Sequence, residues 1–235
     1  MTLPILETPM HSCVLPSSEK RIEFRPFLVG EQKLLMIAQE SDDQNTQVRE
    51  MIRLINACSD DVNAEKLPTV DLEYLFLQIR IKSVGETSDI TMACDKCEAE
   101  NSVTVDLESA KVKQEKKVSN VVKLTDDISL ELQYATYNAM RDLDISDQEA
   151  STEEAFQLMN RCIVAVIQGD AVHTRDDFTE KELDKFINSM SVDMFEGVQD
   201  YLASAPTLSL LAEFKCKTCD NQQKTELEGI GNFFG

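Results

Sequence analysis

Four of the seven cysteines fall into two C-x-x-C pairs, Cys94-Asp-Lys-Cys97 and Cys216-Lys-Thr-Cys219. Thiolates at that spacing grip a metal from a tight turn, and a structural zinc takes four ligands in a tetrahedron with Zn–S near ~2.3 Å. One pair offers two sulfurs, so Cys94, Cys97, Cys216 and Cys219 together would make one closed site holding one Zn2+ per chain. Two unrelated C-x-x-C turns, reduced or redox-active, are the competing reading. A thioredoxin-like motif places its C-x-x-C before a helix of a βαβ unit, and neither pair here precedes a helical pattern. The joined site is closed by its four cysteines, with no obvious His, Glu or water position, which argues against a catalytic zinc.

No other constellation in the chain points to catalysis. His11 stands in a Pro-rich arm and His173 in an acidic loop, neither beside a nucleophile or a second ligand. There is no G-x-x-x-x-G-K-S/T, G-x-G-x-x-G or G-x-S-x-G, and with seven Gly in all a phosphate-cradling loop has little material. Asp126-Asp127 and Glu153-Glu154 suit turn and capping roles. The expectation is a protein that is not an enzyme. With 43 acidic against 23 basic residues and a net charge of −20, the surface repels nucleic-acid backbones, whose affinity rests on Lys and Arg. No apolar run approaches the roughly 20 residues of a membrane span, and the first residues lack a signal-peptide pattern. The expected place is the cytoplasm. Cys13, Cys58 and Cys162 lie outside the pairs and fit a reducing compartment better than a disulfide framework.

The pairs need elements to hold them. Strand-like runs enter and leave each C-x-x-C, Ile90–Ala93 and Ser102–Val105 around the first, Leu210–Lys215 and Gln222–Thr225 around the second, so each pair sits on the tip of a hairpin as a zinc knuckle. About 120 residues separate the pairs where an ordinary zinc ribbon has roughly 15–20, so the intervening chain must fold and bring the tips together. Residues 1–19, with Pro4, Pro9 and Pro16, read as an extended arm. Arg21–Phe27 alternates as a short strand until Pro26. Leu34, Leu35 and Ala38 mark an amphipathic helix, and Val48, Met51, Ile52 and Ile55 a second one that carries Cys58 into the core. A third helix opens at Thr69, with Asp71 in its first turn, is apolar nearly all round through Ile81, and stops at Gly85.

Beyond the first knuckle, Lys111–Lys117 is the only dense basic run and reads as a solvated linker. Val121–Leu124 and Ile128–Tyr134 form a hairpin about Thr125-Asp126-Asp127. Capping-box spacings at Ser151/Glu154 and Thr179/Glu182 start helices. The first buries Phe156, Met159, Ile163 and Val166 and runs to Gly169, with a loop over Asp170–Phe178. Ser191 caps a further helix ending before Pro206. The expected class is α+β: a helical chain with short hairpins and two knuckles joined in one four-cysteine site. The order strand, helices, knuckle occurs twice, suggesting a pseudo-two-fold repeat. The divisions are an arm at 1–19, a half at 20–110, a basic linker at 111–120, a half at 121–228 and an aromatic tail at 229–235, whose Phe233 and Phe234 are candidates for packing on the core or anchoring in a partner.

Phe24-Arg-Pro-Phe27 leads into Glu31-Gln-Lys-Leu-Leu-Met-Ile-Ala-Gln-Glu-Ser41. Asp71-Leu-Glu-Tyr-Leu-Phe-Leu-Gln-Ile-Arg-Ile-Lys-Ser-Val-Gly-Glu86 runs up to the first C-x-x-C. These strings resemble the small baseplate hub proteins of T4-type contractile-tailed bacteriophages, over residues 20–230. The resemblance implies work by protein–protein binding, as a hub subunit or as a chaperone-like factor that helps virion assembly and leaves. Its partners would be other baseplate or hub proteins, in the host cytoplasm during assembly or in the virion tail. The alternatives are a zinc-ribbon binding or regulatory factor unrelated to tails, and a thiol–disulfide protein.

Overall fold

The helix expected at Pro68 runs in the computed structural model from Thr69 to Val84. Gly85, at φ +117°, ends it in a backbone region that L side chains avoid. The structure describes residues 8–39, 44–114, 116–140 and 152–229. In chain order the main elements are β1 (His11–Val14), β2 (Arg21–Phe24), α1 (Val29–Gln39), α2 (Gln44–Cys58), α3 (Thr69–Val84), β3 (Thr87–Ala93), β4 (Glu100–Asp106) and β5 (Lys111–Lys113). They continue with β6 (Val121–Lys123), β7 (Ile128–Leu132), α4 (Tyr137–Met140), α5 (Thr152–Cys162), β8 (Ile163–Gln168), β9 (Ala171–Thr174), α6 (Glu180–Ile187), α7 (Val192–Ala203), β10 (Thr207–Lys215) and β11 (Gln222–Glu228). The fold is mixed α and β, with small antiparallel sheets. Among the described residues no helix is long and apolar enough to cross a membrane.

The described residues form two compact units, one of 8–64, 70–113 and 206–229, the other of 65–69 and 114–205. This differs from the division into sequential halves, because the second knuckle hairpin joins the first knuckle's unit. The basic linker expected at 111–120 is also corrected. Lys111–Lys113 is a strand, pairing Lys111 with Ser209 and Lys113 with Thr207 of β10, and Lys113 forms an ion pair with Glu226. Three alternating residues are too few to reveal a strand by period, and the lysines point outward.

In the first unit, α3 is buried over most of its length: Leu72, Leu75, Leu77 and Ile79 are each at most 1% exposed, while Lys82 and Val84 in its last turn are exposed, as a helix apolar nearly all round requires. Met51, Ile52, Leu54, Ile55 and Cys58 bury one face of α2. Arg25 grips Glu31 with both guanidinium nitrogens, at 2.7 and 2.9 Å, and donates to the Ala57 carbonyl, tying β2 to the start of α1 and the end of α2. The stripe expected on α1 is not buried as read, since Leu34 is exposed and Leu35 only half-buried; Ala38 lies among side chains outside the description. The extended arm is corrected from residue 11 onward. His11–Val14 pairs with β2 in the register His11↔Phe24 to Val14↔Arg21, Leu15 is buried, and Pro16 falls in the turn, where it costs the ladder nothing. Ser17 then donates its N–H (2.8 Å) and hydroxyl (2.5 Å) to the wholly buried carboxyl of Asp71. Asp71 is therefore a buried clasp for the N-terminal hairpin as well as a first-turn acid.

The second unit packs helices on the sheet β6-β7-β8-β9. Its core is Leu130, Leu132, Met159, Ile163, Leu183, Ile187, Val198 and Tyr201. The helix expected to reach Gly169 ends at Cys162. Ile163–Gln168 is a strand, and with Ala171–Thr174 it makes a hairpin in which Gln168 faces Ala171. The β-branched run Ile-Val-Ala-Val-Ile overrides the helical period, and Gly169, at φ +56°, turns the chain where a loop was expected. His173 thus lies in a strand. Phe156 is not inward but 38% exposed, stacked on Phe195 at 4.9 Å. Thr179 and Glu182 form their capping box, and Ser191 caps α7; Ser151 lies outside the described residues.

Removing the Ser17 hydroxyl leaves a buried carboxylate oxygen short of a donor, which costs about 1–3 kcal/mol. Ser17→Ala is expected to lose that much in urea unfolding at neutral pH, with Ser102→Ala, on an exposed strand position, near zero. Burial raises the Asp71 pKa above 3.8 and the Ser17 bonds lower it. Ser17 therefore supports the ionised form, and the loss should shrink as the pH falls through the folded pKa.

Candidate metal centre

Each C-x-x-C is the tip of a hairpin, β3–β4 for the first and β10–β11 for the second. Ala93 pairs with Glu100 and Lys215 with Gln222, leaving six residues in each turn. The two turns close by the same bonds. Cys94 N donates to Ala99 O (3.0 Å) and Glu98 N to Cys94 O (2.8 Å); Cys216 N donates to Asn221 O (2.8 Å) and Asp220 N to Cys216 O (3.1 Å). Glu98 and Asp220, each four residues beyond the first cysteine of its turn, adopt left-handed φ values of 57° and 58°. The identical backbone path folds each pair of thiols inward from its own strand ends.

The tips meet, and the Sγ atoms of Cys94, Cys97, Cys216 and Cys219 all lie within 4.8 Å of one another. Cys94 Sγ is 3.7 Å from Cys219 Sγ, and Cys97 Sγ is 3.6 Å from Cys216 Sγ. Four sulfurs at ~2.3 Å from a tetrahedral zinc stand about 3.8 Å apart, so the cluster has the size a zinc needs. Cys94 and Cys216 are buried, Cys219 is half-buried and Cys97 is exposed.

Backbone donors favour the ionised form of the two buried sulfurs. The N–H groups of Cys219 and Thr218 pull Cys216 down to about 6, and those of Lys96 and then Cys97 lower Cys94. Cys97 also has a lowering contact, the Ala99 N–H, but the sulfurs of Cys219, Cys216 and Cys94 together with burial push it up to about 12. Without a cation, a further negative charge in a cluster of thiolates is unfavourable. A divalent metal reverses that cost, and binding requires the ligands deprotonated.

The other three cysteines have the opposite character. Burial raises Cys162 to about 12; burial and then the Glu31 charge raise Cys58 to about 12; burial and then Asp71 raise Cys13 to about 11. These are inert thiols in packed surroundings, as expected for Cys58. Phe233 and Phe234 lie outside the described residues. Sequence reading missed the amide side chains around the sulfurs: Asn101 Nδ2 donates to Cys216 Sγ at 3.7 Å and Asn221 Nδ2 to Cys94 Sγ at 3.9 Å. The signal for Asn221 was the Asn-Gln-Gln run after the second pair, whereas Asn101 is a single amide after the first.

Among the described residues, the cluster of metal-ligating side chains is a four-thiol site of metal-binding size. The family model of the T4 bacteriophage base plate protein matches residues 8–235, nearly the whole chain, and the chain belongs to that family. Comparison with curated proteins and with solved structures finds no match.

In a structural metal site, Ser in place of a thiolate removes a ligand whose binding energy is folding energy. Cys94→Ser, Cys97→Ser, Cys216→Ser and Cys219→Ser are each expected to lower the unfolding midpoint and to admit protease cleavage at both hairpins. Cys58→Ser and Cys162→Ser should leave the hairpins intact and cost about 1–3 kcal/mol for a buried hydroxyl. Equal tolerance at all six positions would refute the division.

Proposed function

We propose that this baseplate protein is a non-enzymatic hub protein that works by binding other baseplate proteins during hub assembly, with one structural zinc held by Cys94, Cys97, Cys216 and Cys219. The family match over residues 8–235 carries the reading; the four-thiol cluster supports the zinc. Bound there, a zinc would supply no reaction: it would staple two hairpins far apart in the chain. The tetrahedron is filled by sulfur, which leaves no position for water or substrate.

Two further observations support protein binding. Leu28, Val29, Leu34, Met36 and Ile37, on and just before α1, are all at least 47% exposed, and apolar side chains grouped on a surface suit burial against another protein. The net charge of −20 disfavours nucleic acid and favours basic partner surfaces. Against thiol–disulfide exchange stand the sulfur contacts, which run between the pairs, and the absence of a helix after either C-x-x-C.

Protein purified without added zinc is expected to carry one zinc per chain, and the Cys94→Ser protein none. A phage whose copy of this reading frame carries a stop codon should regain complete baseplates when supplied with the wild-type chain, and far fewer with Cys94→Ser. Full complementation by a metal-free variant would remove the zinc from the function. Unchanged baseplates without the chain would remove the hub role. Detection of the chain in purified tails separates a permanent subunit from a departing factor.

A further inference from the structure

Asn101 and Gln223 stand at equivalent places in the two hairpins, each seven residues beyond the first cysteine of its own knuckle. Asn101 is 3% exposed and Gln223 8%. Each reaches across to the other hairpin. Asn101 Oδ1 accepts the Lys217 N–H at 3.0 Å, and Gln223 Oε1 accepts the Asp95 N–H at 3.0 Å. Lys217 and Asp95 are themselves equivalent, each following the first cysteine of its pair.

The other end of each amide is also engaged. Asn101 Nδ2 donates to the Ala99 carbonyl at 2.8 Å and to Cys216 Sγ. Gln223 Nε2 donates to the Ala93 carbonyl at 3.4 Å and to Thr225 Oγ1 at 3.2 Å. A backbone N–H can only donate, so it fixes which end of each amide faces it and turns the NH2 toward the carbonyl or sulfur. Neither cross-contact involves the metal, yet each holds the residue beside a ligand.

We propose that Asn101 and Gln223 form a reciprocal latch that sets the register of the two knuckles and so positions the four thiols as one site. This rests on reading the four cysteines as a metal site. The two are positioning residues: they touch backbone and, for Asn101, a ligand sulfur. Each latch fixes the start of the opposite turn, where Cys216 or Cys94 receives its backbone donors. Loss of one latch frees a whole knuckle to shift against the other, and groups supporting metal ligands typically govern 10–100-fold in affinity.

The test uses the full chain, with zinc affinity measured by competition against a chromophoric chelator, Co2+ absorption as the signature of tetrahedral thiolate binding, and amide exchange by NMR. Asn101→Ala and Gln223→Ala should each weaken zinc about 10-fold or more while keeping the tetrahedral Co2+ spectrum. Exchange should accelerate at Lys217 in Asn101→Ala and at Asp95 in Gln223→Ala, each on the hairpin opposite the substitution. Gln223→Met keeps the side chain's length and loses both amide ends, so Asp95 exchange should accelerate; should an alanine variant fail to fold, this variant carries the comparison, and an Asp95 amide as protected as in the wild type would overturn the latch. Wild-type affinity and unchanged protection in the alanine variants would overturn it too. If the wild type binds neither zinc nor Co2+, the zinc reading fails, while exchange at Lys217 and Asp95 in the metal-free proteins still decides the latch.

Discussion

A C-x-x-C turn presents two sulfurs, and a tetrahedral structural site takes four. In the first unit two such turns bring four sulfurs within 4.8 Å of one another. Each knuckle hairpin supplies only two of the four sulfurs, and β3–β4 and β10–β11 meet tip to tip although residues 107–206 lie between them in the chain. Residues 114–205, together with 65–69, form the second unit, and the strand pairing of β5 with β10 brings the chain back beside the point where it left. An insertion of that length is tolerable because loop-closure cost grows only slowly with the number of residues enclosed, and because the inserted residues bury their own core.

The same economy of special chemistry runs through the rest of the protein. Seven thiols divide cleanly by environment: four gathered at two turn tips, two of them lowered by backbone N–H groups, and three buried and raised by desolvation. Buried polar groups outside the cluster act as fasteners. Asp71 receives Ser17 and holds the N-terminal hairpin; Arg25 joins Glu31 and the Ala57 carbonyl; Asn101 and Gln223 cross between the knuckles. In a chain of charge −20, where like charges oppose compaction, directional contacts of this kind fix geometry that burial alone leaves loose.

The sequence by itself determined the features written in local pattern. The paired cysteines and their hairpins, the all-round apolar α3 with its Gly85 stop, the α2 stripe through Cys58 and the Thr179/Glu182 box all follow from spacing within a few residues, and the strings at Phe24–Ser41 and Asp71–Glu86 were enough to point to the family. Tertiary structure decided the rest. Ile163–Gln168 became a strand because β7 offered a ladder to a β-branched run; His11–Val14 joined β2 although Pro16 disguised it; the second knuckle joined the first knuckle's unit instead of the helices preceding it in sequence. Asn101 and Gln223 look like ordinary polar strand residues until the opposite hairpin supplies their partners. Period and spacing report only near neighbours along the chain, whereas strand pairing and burial depend on contacts between separate segments, and the meeting of the four sulfurs on segments more than a hundred residues apart, whose partners no local pattern names.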